Sequence, residues 1–204
     1  MSYCGKEGII KKHIVSLVLL LIMGFISCYD GLQDVYEEGR VYNLRDRGPA
    51  GGWIFYINPN YKADGWRYLE AAPEDQSVSA AWSNIGGAYV SNGSVLPAAI
   101  GSGKANTEAI IAQAGHVESA AKVCRNYRGG GYNDWFLPSK DELNQMYCNL
   151  WLLGVGNFHA VNGQYYWSST DWSESSAYAQ QYTDGLQAHN PKLGSDWVRA
   201  IRAF

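Results

Sequence analysis

The chain has 204 residues and a formal net charge of −3. Beyond residue 28 it carries 13 Lys and Arg against 18 Asp and Glu, a formal charge of −5. This acidic balance, without a basic patch, argues against nucleic acid as a partner. The length suits one domain that can bury a core without structural metals or many disulfides.

The first 28 residues have the pattern of a secretory signal. Lys11 and Lys12 precede an apolar run at 14–26, and the small residue Ser27 follows it. A basic start, a short apolar core and a small residue at the cleavage point are typical of such a signal. The run is shorter than the roughly 20 apolar residues of a membrane-spanning helix.

Cys28 makes this signal resemble that of bacterial lipoproteins, although their pattern usually has Leu where Phe25 stands. An ordinary cleaved signal and an uncleaved anchor are the alternatives. Bulky Phe25 argues against ordinary cleavage, which prefers small residues there. The sequence therefore predicts a signal peptide at 1–27 and acyl chains on Cys28. These chains would hold the protein in the bacterial cell envelope, at the outer membrane or cell surface or on the periplasmic face.

The residues after the predicted lipid anchor divide into a tether and a domain. Residues 28–47 are polar, charged and without periodicity, as expected of a tether. The predicted domain then occupies 48–204.

The domain begins with strands. A turn cluster at 48–52 precedes an apolar strand at 53–57, and a second short strand lies at 66–70. Residues 73–105 are rich in Gly, Ser, Asn and Ala and predict a long loop. Loops of that length are usually functional or mobile.

Two helices follow. Apolar residues at helical spacing predict the first over 108–127, with Val117 on its buried stripe. The second has the clearest local signature, because Ser139 and Glu142 match a capping box. We expect Gly154 to close its C-terminal end.

Three strands complete the domain, at 165–169, 177–183 and 198–204. The middle one alternates, with Tyr178 and Gln180 on one side, so we expect one of its faces to contact water. The order of strands, helices and strands predicts an α+β fold with a small antiparallel sheet.

Four segments together resemble the DUF1566 family, which is also described as the C-terminal domain of a Legionella collagen-like adhesin. The resemblance covers roughly 48–204, and the second and third segments are specific only in combination. The segments are GGWIFY at 51–56, NDWFLPSKDEL at 133–143, YWSS at 166–169 and VRAIR at 198–202.

That family is similar to the C-type-lectin-like fold. The resemblance implies that strand 53–57 pairs with 198–204, that two helices flank the sheet and that long loops gather on one side. It also implies structural roles for Trp135, Leu137 and Trp167 in the core. Many members are secreted or lipid-anchored envelope proteins, and the adhesin domain is associated with glycan binding.

The calcium chemistry of true lectins is not expected here. The Glu-Pro-Asn and Gln-Pro-Asp loops of those proteins do not occur in the chain. Tyr132-Asn133-Asp134 is similar to their Trp-Asn-Asp strand, but it precedes the second helix, and no carboxylate cluster supplies six oxygens. We therefore predict no metal site and no cofactor.

No residue set amounts to a catalytic site, so we predict that the protein is not an enzyme. Glu70, Glu74 and Asp75 could supply the paired carboxylates of a glycosidase, which must flank a sugar. Their adjacency in sequence indicates instead that they decorate a loop. We expect the histidines after residue 28 on loops or at the surface.

Two cysteines remain outside the signal. Cys124 lies on the buried stripe of the first predicted helix, and Cys148 lies off the apolar face of the second. An oxidising envelope permits a disulfide between them. Two buried or half-buried thiols are the alternative.

The abundance of Trp and Tyr, 8 and 15 residues, fits either an aromatic core or a surface that binds sugar or peptide. We favour a membrane-anchored, non-enzymatic module that binds glycan, extracellular matrix or another envelope protein. A structural or assembly protein of the envelope and an unrecognised carbohydrate-active enzyme are the alternatives. The candidate ligand-binding residues are exposed aromatic and polar side chains on loops: Tyr61, Trp66, Trp82, Asp171, Trp172 and His189.

The lipid anchor makes the first testable prediction. Replacing Cys28 by Ala removes the thiol that carries the acyl chains, so we expect the protein to leave the membrane fraction. Mass spectrometry of the native protein should show a chain that begins at an acylated Cys28. An intact Met1, or a Cys28→Ala protein that stays uncleaved in membranes, would disprove the lipidation.

Overall fold

The computed structural model describes residues 39–204. The signal peptide, Cys28 and most of the predicted tether lie outside the described residues. The unit discussed below is Tyr42–Phe204. It begins six residues before the predicted boundary, because residues after Tyr42 already pair with the first strand. The Arg45 amide donates to the Ile54 carbonyl at 2.7 Å.

The fold is mixed α+β with two sheets and few helices, which agrees with the predicted α+β class. The prediction of one small sheet is too simple, because the strands form two sheets. Sheet 1 has three strands in the order β1-β2-β8, and sheet 2 has five in the order β3-β7-β4-β5-β6. The strands are β1 Trp53–Ile57, β2 Tyr68–Ala71, β3 Ser77–Ala81, β4 Tyr165–Asp171, β5 Ser176–Gln181, β6 Gln187–Pro191, β7 Ser195–Val198 and β8 Ile201–Ala203.

Strand pairing differs from the expectation in two ways. The first and last strands do not pair, because β2 lies between them and pairs antiparallel with both. Sheet 2 is not purely antiparallel, since β4 and β7 run parallel at Tyr166 and Trp197. The predicted loop at 73–105 also contains β3, which pairs with β7.

Within Tyr42–Phe204, four α-helices join the strands: α1 Tyr61–Asp64, α2 Gly103–Ile111, α3 Ala120–Asn126 and α4 Lys140–Asn149. The single helix predicted over 108–127 is wrong, because α2 and α3 are separate. Gly115 lies between them with φ of +82°, a left-handed conformation that interrupts a helix. Val117, expected on a buried stripe, is exposed in this connection.

The predicted second helix is confirmed as α4. The Ser139 hydroxyl accepts from the Glu142 amide, and the Glu142 carboxylate accepts from the Ser139 amide at 2.7 Å. The same carboxylate accepts from the Gly101 amide at 2.8 Å, so the capping box also holds the loop before α2. A 3₁₀ turn, Trp151–Leu153, follows α4, and Gly154 ends it in the left-handed conformation.

Sheet 2 is covered on both faces. One face carries Trp167 and packs with Ile110 of α2 and Cys124 of α3. The other carries Tyr166 and Tyr182 and packs with residues of α4. These contacts confirm the structural roles of Trp135, Leu137 and Trp167, which are all fully buried.

The predicted water-facing side of 177–183 is wrong for the same reason. Gln180 lies under α4, where its amide donates to the Asn144 side chain at 2.8 Å, and it is fully buried. The Tyr182 hydroxyl donates to the Leu143 carbonyl at 3.1 Å. Tyr178 alone on this side stays half-exposed, because it lies at the N-terminal end of α4.

Two carboxylates that were expected to decorate a loop are buried and paired with arginines. Glu70 in β2 contacts Arg202 at 3.3 Å, and Asp75 contacts Arg199 at 2.6 Å. Both arginines are buried in or beside β8. Glu74, in contrast, is exposed as predicted.

Cys124 and Cys148 are free thiols, the first buried and the second exposed. Burial raises the pKa of the Cys124 thiol well above its usual range. Between residues 39 and 204, no helix is long and apolar enough to cross a membrane.

The buried capping box predicts a pH dependence of stability. Burial raises the pKa of Glu142 from 4.5 to about 7, and hydrogen bonds from Ser139 and Gly101 offset only part of this. Between these values the folded protein holds a proton that the unfolded chain releases, so stability falls as pH rises. The shift corresponds to roughly 3 kcal/mol across the window.

Chemical denaturation between pH 4.5 and 7.5 measures this effect. In Glu142→Gln the carboxyl is absent, so the free energy of unfolding should fall less over this range than in the parent protein. Asp141→Asn, one residue away and half-exposed, should keep the parental slope. Equal slopes in the parent and Glu142→Gln would contradict the assignment.

Candidate functional site

The six candidate residues lie in three places. Trp172 and His189 contact each other on the surface of sheet 2. Tyr61 in α1 and Trp66 lie in the connection between β1 and β2. Trp82 and Asp171 are fully buried, so the prediction that these two are exposed is wrong.

The contact between Trp172 and His189 is a stack of two rings. Their centroids are 5.2 Å apart and their planes differ by 10°. Tyr178 meets the Trp172 ring edge-on at 5.4 Å, and the Lys140 ammonium lies 4.8 Å from the Tyr178 ring centre. Trp172 is 48% exposed and His189 is exposed as well. We call Lys140, Trp172, Tyr178 and His189 the aromatic shelf.

Strand register explains the positions of Tyr178 and His189 in the shelf. Tyr178 of β5 and His189 of β6 are direct cross-strand partners, so their side chains share the face that α4 partly covers. Lys140 is the first residue of α4 and reaches this face from the side. Gln187, on the same face, donates to the Lys140 carbonyl at 3.3 Å.

The turn between β4 and β5 places Trp172. Its amide donates to the Ser176 carbonyl at 2.9 Å, and the Ser173 and Ser176 hydroxyls are 2.7 Å apart. The β4–β5 register also shifts between Trp167 and Asp171. The turn is therefore closed by its own hydrogen bonds, and Trp172 projects from it toward β6.

A buried ion pair holds this turn against the end of β6. The Lys192 ammonium lies 3.4 Å from the Asp171 carboxylate, and both side chains are fully buried. Asp171 precedes Trp172, and Lys192 follows β6, so the pair joins the two segments whose rings stack. Burial lowers the pKa of Lys192, and the Asp171 charge offsets part of this.

The same pair anchors the long loop. The Leu96 amide donates to Asp171 at 2.6 Å, and Lys192 donates to the Ala88 carbonyl at 3.0 Å. The Lys192 ammonium also lies 4.8 Å from the Trp82 ring centre. Trp82 and Asp171 therefore support the shelf from below and do not form its surface.

Tyr61 and Trp66 form a separate, weaker candidate. The Arg67 guanidinium lies 4.8 Å from the Tyr61 ring centre, and Trp66 lies 6.2 Å from Tyr56. Tyr61 and Trp66 are both half-buried. Trp66 also packs on the core cluster under α4, so less of its ring is free to meet a ligand than in Trp172.

A second polar cluster joins residues far apart in sequence. The Asp75 carboxylate accepts from Arg199 Nε at 2.7 Å and from the Tyr166 hydroxyl at 2.9 Å, and it contacts His159 Nδ1 at 2.8 Å. Arg199 also donates to three backbone carbonyls, those of Ala72, Gly156 and Asn157. Every donor of this buried arginine is thus directed to a structural partner.

An open cleft of about 550 Å³ lies between β3 and α3. Serines and aliphatic side chains make up most of its lining, with Glu118 and Lys122 as its charged members. In the described part of the chain, no group of three or more His, Cys, Asp or Glu side chains could hold a metal ion. Neither the polar cluster around Asp75 nor this cleft presents a recognisable set of catalytic residues.

Sequence reasoning missed two members of the shelf. Tyr178 was predicted on the water-facing side of a strand, and this alternating pattern was the signal that could have identified it as a surface residue. Lys140 stands in the NDWFLPSKDEL segment, where its neighbours Ser139 and Glu142 had an evident capping role. The contact between Asp75 and Arg199 could not be predicted from the spacing of residues in the sequence, because the two lie 124 positions apart.

No protein-family model and no curated protein matches the chain. Inference about its function therefore rests on the geometry of the aromatic shelf and on the sequence patterns.

The buried pair beneath the shelf makes a stability prediction. Lys192→Met removes the cation and leaves Asp171 buried without its partner charge, which should cost about 3–5 kcal/mol of unfolding free energy. Adding Asp171→Asn removes the stranded charge and should restore part of the loss. Urea denaturation of the two proteins tests this, and an unchanged Lys192→Met stability would contradict the described geometry.

Proposed function

We propose that the protein is a lipid-anchored lipoprotein of the bacterial cell envelope whose domain is a non-enzymatic binding module, with glycan as its ligand. The observation that carries the binding function is the exposed, nearly parallel stack of Trp172 on His189. The outer face of a ring held in such a stack is the kind of platform on which the apolar face of a sugar ring can pack.

The polar surroundings of the shelf support a sugar over a purely apolar ligand. Lys140 and the ring nitrogens of Trp172 and His189 can bond with hydroxyl groups at the edge of the platform. Gln187 lies on the same face of β6 as His189 and is half-buried. The stack therefore combines a stacking surface with hydrogen-bonding groups at its border.

The form of the shelf favours binding over catalysis. Trp172 projects from a surface turn, whereas catalytic groups usually converge inside a cleft. The buried carboxylates Glu70, Asp75 and Asp171 are all engaged by arginine or lysine. A carboxylate held in this way is poorly placed to flank a sugar, as the two carboxylates of a glycosidase must.

Membership of the DUF1566 family and the C-type-lectin-like fold remain part of this proposal. What supports them is the combination of the four sequence segments with an α+β domain in which β1 and β8 belong to one sheet. The intervening β2 departs from direct pairing of the terminal strands. Lipid anchoring is supported by the sequence before Ser27 and by Cys28.

A glycan array followed by calorimetry tests the binding function on residues 29–204, with and without calcium. We expect saccharide binding that does not need calcium, because no lectin-type calcium loop occurs in the sequence. Trp172→Ala should weaken the best interaction by roughly 10-fold or more, since the larger ring of the stack is lost.

Tyr61→Ala is the matched control, because it removes an aromatic ring that lies outside the shelf. It should leave the affinity within about twofold. Saccharide binding that survives Trp172→Ala unchanged would refute the role of the shelf. Absence of binding across the array, together with self-association, would favour the structural or assembly alternative.

A further inference from the structure

The turn that follows α4 exposes two consecutive leucines. Leu152 is 58% exposed and Leu153 is 54% exposed, while the preceding Trp151 is half-buried. The next residue in the apolar series, Val155, is also half-buried. Adjacent exposed leucines next to a tryptophan are unusual on a surface that faces only water, whereas single exposed aliphatic residues are common.

An absence of charge separates this turn from exposed Val117 and Leu193, whereas exposed Val78 and Val95, which also lie in an uncharged stretch, differ from it in having no second exposed large aliphatic residue beside them. No Asp, Glu, Lys or Arg occurs between Leu143 and Thr170. By contrast, Val117 is followed by Glu118, and Leu193 follows Lys192. The turn is therefore part of a long uncharged stretch, which could approach a bilayer without removing charged groups from water.

The turn is also rigid. The amides of Leu153 and Val155 both donate to the Leu150 carbonyl, at 3.1 and 3.0 Å, and the Gly154 amide donates to the Trp151 carbonyl at 2.9 Å. Trp151 packs on Tyr182 of the core with ring centres 6.3 Å apart. Because the backbone is already ordered, little conformational entropy would be lost on insertion.

We propose that the segment Trp151–Leu153 is a membrane-docking site, with the two leucines entering the bilayer surface and Trp151 at the level of the headgroups. This inference rests on the proposed lipid anchor at Cys28. Tryptophan prefers that interfacial depth, and leucine the hydrocarbon below it.

The distance to the anchor makes the bilayer the occupant. Thirteen residues lie between Cys28 and Tyr42, and even a fully extended chain across them reaches only about 50 Å. The domain is thus confined near the lipid surface, at an effective concentration of the order of millimolar. An insertion too weak to recruit a free protein would then be enough to orient a tethered one.

The docked orientation would present the shelf to solvent. Lys140, the first residue of α4, borders the shelf, and Trp151 begins the turn just beyond the opposite end of the helix. A helix of ten residues spans about 15 Å. Contact of the turn with lipid would therefore place the shelf at the other end of α4, away from the membrane.

A fluorescence experiment on the full-length lipidated protein tests the inference. In a Cys148→Ser background, Leu153→Cys is labelled with the polarity-sensitive dye NBD and reconstituted into phosphatidylethanolamine/phosphatidylglycerol vesicles. Leu193→Cys, labelled in the same way, is the matched control because Leu193 is equally exposed but adjoins a lysine. We expect blue-shifted emission at 153 and at least threefold stronger quenching by spin-labelled lipid than at 193.

Leu152→Glu in the labelled Leu153→Cys protein should return the emission to that of the control, whereas Leu186→Glu should not. Vesicle flotation separates the two proposals. Protein that floats but shows equal emission at both sites overturns membrane docking and leaves the anchor intact. Protein that does not float lacks the lipid anchor, and the docking proposal, which rests on that anchor, is then wrong as well. A blue shift without vesicles that grows with protein concentration would assign the turn to self-association and also overturn docking.

Discussion

The buried contact between Asp171 and Lys192 is the interaction on which the candidate site depends. It lies under the shelf and joins the β4–β5 turn to the end of β6, with both side chains removed from water. Such a pair gains little net stability over apolar packing, but losing one partner is costly because the other charge stays buried. The geometry of Trp172 over His189 is therefore tied to an interaction that tolerates few alternatives.

Two other buried pairs follow the same plan. Arg199 with Asp75 and Arg202 with Glu70 each connect the end of the chain to the region around β2. Burial raises the pKa of Glu70, while amides of Gly52 and Ala50 and the Arg202 charge oppose that rise. These two pairs join residues 124 and 132 positions apart, so they fix tertiary register where strands are short.

Helix α4 links the two surfaces of functional interest. Its first turn is held by the Glu142 capping box and carries Lys140 to the shelf. Its apolar face covers sheet 2 through Leu143 and Met146, and its far end continues into the apolar turn at Trp151–Leu153. One helix thus relates a proposed ligand-binding surface to a proposed lipid-binding one, and their separation follows from helix length.

The sequence alone determined the features that depend on neighbouring residues. It was enough for the α+β class, for α4 with its capping box and for the exposure of Trp172, because capping, periodicity and turn chemistry act over a few positions. The tertiary structure decided the separation of α2 from α3, the place of β2 between β1 and β8, and the burial of Trp82 and Asp171. Those outcomes depend on which distant segments come into contact, and local sequence patterns do not contain that information. Lys192 and Asp171, for example, become partners only when two turns of sheet 2 close over the same core.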